Sequence, residues 1–420
     1  METRQTFIRL GRNINSLLYE PAVFSEKSRI GIVVMHSDAD YLTFPPIGLE
    51  MALRGYRVLC ANVADKTDSL ERKLSDLKLA VQKMREESGV AKIVLAGHSG
   101  GGTLMSAYQA IAENGVKVFQ DAKKLSPCSG ALDSLPRADG LMLLDSNFGI
   151  AAMSLFSLDP AVVDEKSGIG IDESLNLFNP ANGFNPEGST YGEEFIRKFQ
   201  KAQGARNNRL INKALERLER IKDGKGKFAD DEPFIVPGAE QGFLNNKLYA
   251  QDIRLMSHTK KEWPLLKSGG GVSVEIIRSV RKPENKESLT NSYRKGALIT
   301  TVRNYLDSYA VRTTEDYGYN EDSVFGIDWA SAWNCPPENI NHVNAPLLVM
   351  GMTGNWEFLA SETIYENASS CDKTIAFVEG AGHLFTSAVH CERFPGEFGD
   401  TQKTTFDFVD KWLSQNDRFK

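Results

Sequence analysis

Apolar positions fall into two rhythms along the chain. "IGIVVMH" (30–36), "YRVLCANV" (56–63), "AKIVLAG" (91–97) and "GLMLLD" (140–145) are short runs rich in Val, Ile and Leu. Such runs predict strands buried on both faces, as in a parallel sheet. Between them, "SLERKLSDLKLAVQKMREESG" (69–89) spaces Leu70, Leu74, Leu77 and Val81 by three and four residues and ends at Gly89. That spacing predicts an amphipathic helix with a stop signal. "GGTLMSAYQAIAENG" (101–115) reads the same way. Strand alternating with helix predicts α/β architecture, a mostly parallel sheet with flanking helices.

The rhythm breaks at about residue 152 and returns at about 341. Gly, Pro and Asn are frequent at 159–188, and a long polar helix is predicted over 191–222. "FADDEPFIVPGAE" (228–240) reads as loop, and "NKLYAQDIRLMSHTKKEW" (246–263, preceded by Asn245) as a solvated face. "VSVEIIRSVRKP" (272–283) reads as a strand or extended edge, and "GALITTVRNYLDSYAVR" (296–312) as a helix. Strands return at "APLLVMG" (345–351) and "KTIAFVEG" (373–380), with helices at 358–369 and 401–416. The expected organisation is a core domain of residues 1–151 and 341–420, split by a mainly helical inserted cap of 152–340.

Composition narrows the class. A hydrophobic fraction of 41% and a charged fraction of 25% are those of a globular protein. A net charge of -6 offers no basic surface for nucleic acid or anionic lipid. Five cysteines without metal-site spacing fit reduced thiols. Neither a signal sequence nor an apolar run of about 20 residues is apparent, so the expectation is a soluble cytoplasmic protein without a membrane partner.

"VLAGHSGGG" (94–102) carries the chemistry. Gly97-His98-Ser99-Gly100-Gly101 is G-x-S-x-G, set between a predicted strand and a predicted helix. A tight strand-to-helix turn would expose the serine at a helix N-terminus, where free N–H groups favour an anion. An incidental serine in a Gly-rich connection is the plain alternative. Neither phosphate-loop pattern, G-x-x-x-x-G-K-[ST] or G-x-G-x-x-G, occurs.

At this motif the chain resembles the α/β-hydrolase family, over about 1–150 and 340–420. The resemblance implies a Ser, then Asp or Glu, then His order, with the middle block as a variable cap. It implies a serine hydrolase with no cofactor and no metal, cleaving an ester or lactone of a small apolar or aromatic compound. Amide, thioester and carbon–carbon hydrolysis use similar residues, and a non-catalytic binding protein could keep the fold. Among six histidines, His383 in "VEGAGHLF" matches the catalytic-histidine loop, with His390 its competitor. His98 should point away from the serine, and His36 should shape the oxyanion loop. The acid is Glu357 in "GMTGNWEF", 26 residues before His383, or Asp145 at the end of "LMLLD". Gly354 would free that loop, and Asn355 would hold it.

The oxyanion donors implied are the backbone N–H of Gly100 and that of Ser37 or Asp38, since His36-Ser37 stands where His-Gly is frequent. A metal reading of "HSDAD" lacks a second ligand cluster. Trp263, Trp329, Trp333 and Trp356 would either line the pocket or form the insertion's own core. Tyr41 points a hydroxyl into the pocket or is structural. A homodimer through the insertion is compatible with the sequence.

Overall fold

A computed structural model describes residues 2–11, 13–167, 170–239, 247–283, 296–415 and 418–419. Ten strands form the main sheet. They are β1 (Thr3–Leu10), β2 (Ile14–Pro21), β3 (Ile30–Met35), β4 (Arg57–Ala61), β5 (Lys92–His98), β6 (Gly140–Leu144), β8 (His258–Leu266), β9 (Val272–Arg278), β13 (Leu347–Met352) and β14 (Lys373–Val378). Four more lie outside it: β7 (Pro233–Pro237), β10 (Ala297–Thr301), β11 (Arg312–Tyr319) and β12 (Val324–Asp328).

The order across the sheet is β1-β2-β4-β3-β5-β6-β13-β14-β8-β9. From β4 to β8 every pairing is parallel, while β2 and β9 run antiparallel to their neighbours. Alternation explains why the central strands read as unbroken apolar runs. Val33, Met35, Ile93 and Leu95 face one core with Leu74, Leu77 and Val81. Ile32, Val34, Val94 and Ala96 face the other with Met51, Phe406 and Trp412. Helices Leu70–Glu86 and Gly101–Asn114 cover the first face, and Ile47–Leu53 and Thr401–Ser414 the second. Both faces are buried, as a parallel sheet requires.

The insertion holds the predicted long helix, at Glu193–Lys222, together with six strands among its described residues. Leu210, Ile211 and Ala214 of that helix pack on Phe234, Val236 and Val302 in a separate core. Three readings of the sequence are corrected here. The expected loop at 228–240 contains β7, and the expected helix at 296–312 begins as β10 and is helical only over 302–309, as one turn of helix and a π-turn at Tyr305–Tyr309. β7 and β10 pair antiparallel, with Ile299 opposite Ile235, so the β-branched Ile299-Thr300-Thr301 run outweighs the apparent helical spacing. In the expected solvated face, Asn245 and Asn246 lie outside the described residues, but Leu248 and Tyr249 are fully buried and 258–266 is β8. β8 continues the main sheet beside β14, with Phe377 opposite Leu265.

Candidate active site

β5 is buried along almost its whole length and runs directly into helix Gly101–Asn114. Ser99 lies between them with φ +54°, in the left-handed region that a non-glycine residue rarely adopts. The glycines around it are fixed by close contacts. A Cβ at Gly97 would lie 2.7 Å from the Gly101 carbonyl oxygen, and one at Gly101 would lie 2.7 Å from that of Met35. Both contacts are with backbone, so neither position could relax to admit a side chain.

The loop after β3 lies against this turn. A Cβ at Gly100 would come within 2.9 Å of Ser37 Oγ and 3.1 Å of His36 Nε2. The N–H groups of Gly100 and Ser37 make no hydrogen bond to another described residue. The Asp38 N–H behaves differently. It donates to His36 Nδ1 at 3.2 Å, as does the Ala39 N–H at 3.1 Å. Of the two donors expected from this loop, Ser37 therefore stays free and Asp38 is turned inward. His36 shapes the loop through its ring nitrogen.

His383 sits on the loop after β14. Its Nδ1 lies 2.7 Å from Asp145 Oδ2 and 2.6 Å from Glu357 Oε2. Both candidate acids thus reach the same nitrogen. Asp145 follows β6 with φ +47°, and its side chain is completely buried. Its Oδ1 accepts the Met352 N–H at 2.8 Å, and its Oδ2 accepts the Asn355 amide at 2.5 Å. Glu357 caps helix Phe358–Asn367, and its N–H donates to Asn355 Oδ1. Asn355 therefore ties the two acids together. Gly354 serves close approach: its N–H donates to the Ala381 carbonyl at 2.7 Å, and a Cβ there would meet that oxygen at 2.6 Å.

Burial disfavours a charged imidazole at His383, but Glu357 and Asp145 outweigh it and raise its pKa to about 10. Burial raises the Asp145 carboxyl against the opposing pull of His383, and the charge of Glu357 adds to the rise. Two carboxylates competing for one ring favour an extra bound proton in the cluster. Ser99 Oγ makes no hydrogen bond to a described residue.

His98 holds the histidine loop from behind. Its Nε2 lies 2.6 Å from the His383 carbonyl oxygen, and its Nδ1 lies 2.5 Å from the Tyr41 hydroxyl. A carbonyl only accepts, so Nε2 carries the proton and Nδ1 accepts from Tyr41. Burial, reinforced by His383, keeps this ring neutral by lowering its pKa well below the ordinary value. Tyr41 also stacks on His36 at 4.6 Å. Tyr41 is thus structural, linking the oxyanion loop to the histidine loop. Nothing in the spacing of "HSDADY" and "GHSGG" signals that link, because it joins residues 57 apart.

Ser99, Gly100, Ser37, His36, Asp38 and Glu357 share the wall of a cavity of about 760 Å³ with Asn147, Ile150, Met153, Leu298, Ile299 and Tyr309. The tryptophans lie elsewhere. Trp333 is buried against Phe119, and Trp356 against Tyr249. Trp329 stacks on Phe148, and Trp263 packs on Tyr365. His390 is exposed, and its carbonyl accepts from Lys282. His36, Asp38 and Asp40 do not gather as metal donors, since Asp40 accepts from Leu42 N–H and Asn62. Among the described residues, His98, Asp145 and His383 bring three potential metal donors within 4.8 Å, but the hydrogen bonds above engage those atoms. All five cysteines are free, and no described helix is long and apolar enough to cross a membrane.

No protein-family model matches the chain, and no curated protein sequence matches it. Solved structures similar to it include the esterase Est1E from Butyrivibrio proteoclasticus, at 10% identity over 97% of each chain with a TM-score of 0.40. The siderophore hydrolase EstB from Aspergillus fumigatus is 11% identical over 98% of this chain and 97% of its own, with a TM-score of 0.45. A soluble variant of monoglyceride lipase from Saccharomyces cerevisiae is 10% identical over 97% and 94%, with a TM-score of 0.43. Likeness at this level adds no argument of its own. The α/β-hydrolase fold rests on the molecule's strand order, its antiparallel β2 and the strand–serine–helix turn after β5.

Proposed function

We propose that the chain is a serine hydrolase that cleaves a carboxylic ester or lactone of a small compound through an acyl-enzyme. Ser99 Oγ adds to the carbonyl carbon while His383 Nε2 takes its proton. The oxyanion accepts hydrogen bonds from the N–H groups of Gly100 and Ser37, each worth about 2.7–4 kcal/mol of barrier. Collapse of the tetrahedral intermediate breaks the bond to the leaving oxygen, which receives the proton from His383. Water then attacks the acyl-enzyme, with His383 taking its proton and returning one to Ser99.

The observation that carries this reading is the left-handed Ser99 in a cavity wall, beside two free N–H groups. A cavity of about 760 Å³ suits a small molecule rather than a polymer. Its apolar lining comes from Ile150, Met153, Leu298 and Ile299 instead of the tryptophans, so aliphatic substrates fit it as well as aromatic ones. We assign Asp145 as the acid that orients His383, because hydrogen bonds hold both its oxygens in place. Glu357 adds a second negative charge from the cavity wall.

A second reading, a ligand-binding protein on the same fold, draws support from two features. Ser99 Oγ is not bonded to His383, and a pKa of about 10 leaves the ring protonated at neutral pH. Catalytic hydrogen bonds often tighten only with substrate present, and a slow base at pH 7 becomes competent at higher pH. Covalent labelling by a fluorophosphonate at pH 7 and pH 9.5, read by intact mass and peptide mapping, separates the readings. Modification at Ser99 that speeds up with pH supports the hydrolase. A folded protein that stays unmodified at both pH values sinks it in favour of binding.

A further inference from the structure

A second cavity of about 680 Å³ adjoins the one at Ser99, and Thr67, Ile299 and Tyr309 contribute to the walls of both. Asp307 lines only the second. It is 8% exposed. Its Oδ2 accepts the Leu70 N–H at 3.0 Å and lies 3.3 Å from the Ser308 hydroxyl, whose single proton has a shorter acceptor in Asn304 Oδ1 at 2.8 Å. Asp307 Oδ1 has no hydrogen-bond partner among the described residues, yet it is not sealed from solvent. That oxygen therefore opens onto the cavity.

A carboxyl oxygen in a mostly buried wall that no protein donor reaches is open to a donor from a ligand. Burial is the first reason this carboxyl rises to about 7, with Glu71 adding to the rise. The charge of Lys73 opposes that rise without pairing with the carboxyl. Lys73 donates its ammonium to the Lys66 carbonyl at 2.8 Å and makes no ion pair with Asp307. Arg72 and Arg303 line the same cavity, but both are exposed. The cavity thus has an acidic oxygen that no described residue engages in a mostly buried wall, and its arginines towards solvent. A carboxylate or phosphate ligand would meet like charge at Asp307, whereas an ammonium would supply the missing donors and the opposite charge.

We propose that the second cavity is a subsite for the protonated amine of an amine-bearing ester or lactone whose carbonyl reacts at Ser99. The position of the carbonyl rests on the function proposed above, but binding of the amine does not depend on it.

The test uses the full-length Ser99→Ala variant, which binds without turnover. Hexylammonium, 1-hexanol and hexanoate would each be titrated by calorimetry. The subsite predicts that hexylammonium binds at least tenfold more tightly than the other two. It also predicts that adding Asp307→Asn, which keeps an acceptor for Leu70, removes that preference. Equal binding of amine and alcohol overturns the proposal, and so does an unchanged preference in the Asp307→Asn protein. Tighter binding of hexanoate would overturn it in favour of the arginines. Equal binding of amine and alcohol on unaltered Asp307 overturns the proposal even if the double variant does not fold. In the active protein, the kcat/KM ratio of a 6-aminohexanoate ester to the matching heptanoate ester should exceed about five and approach one in Asp307→Asn. If no ester is hydrolysed and Ser99 does not label, the hydrolase reading fails separately, while the calorimetric result still decides the amine site.

Discussion

The two carboxylates that meet at His383 come from regions built in opposite ways. Asp145 ends a central strand; it is fully buried, and the Met352 N–H and Asn355 hold its oxygens. Glu357 stands at the start of a helix, on a loop that forms part of the cavity wall. The strand end offers one fixed geometry, whereas the loop offers a charge that a substrate can reach. The distance to Nδ1 does not distinguish them, since it is 2.7 Å for one and 2.6 Å for the other. What separates them is how firmly each is held, and substitution can measure that.

The largest expected effect serves as the reference for the rest. Ser99→Ala should abolish fluorophosphonate labelling and lower ester hydrolysis by about 10⁴-fold or more, with thermal unfolding unchanged within a few degrees. Residual hydrolysis close to wild type would remove Ser99 from the chemistry. Next, Asp145→Asn should lower kcat by about 10³-fold, because the fixed acid sets the tautomer and orientation of the ring. If Glu357→Gln is the slower variant, the roles of the two regions are exchanged.

A third test uses pH. The base acts only when neutral, so a pKa raised to about 10 makes the rate climb with pH up to that value. Removing a negative charge at Glu357→Gln lowers that pKa, so the limb should move towards neutral pH and the rate at pH 7 should rise relative to that at pH 10. A profile of kcat/KM that does not move would show that Glu357 carries no charge near the ring. The smallest effect is expected at Tyr41→Phe, which leaves His98 Nδ1 without its donor and should cost about 1 kcal/mol of stability by chemical denaturation. A large loss of activity with unchanged stability would instead bring Tyr41 into the reaction.

The legible parts of this chain were those governed by local rules. Buried strands of a parallel sheet read as unbroken apolar runs, and the serine turn reads as glycines that exclude Cβ atoms. The acid did not read uniquely, because both strand ends carry a carboxylate and only their meeting at His383 reveals that both arrive. Asp38 failed as a donor for a similar reason: its direction depends on the ring of His36, two residues back. The insertion was hardest to read. Its strands β7 and β10 lie about 60 residues apart in sequence, and the apolar residues of the helical segment 302–309 continue at three and four spacing back into β10. Pairing at such separation leaves no trace in either segment alone.

The pairing of β8 with β14 has an architectural meaning beyond the site. β8 and β9 belong to the insertion, yet they continue the main sheet past β14 and form its last two strands. The insertion is therefore not a detachable module resting on a finished domain. A shortened chain joined directly from residue 151 to 341 would leave β14 with a bare row of backbone donors and acceptors, the kind of edge on which chains adhere to one another. Any minimised form of this protein, or any graft of a foreign cap onto its core, would need to carry residues 258–278 with it as the hem of the sheet.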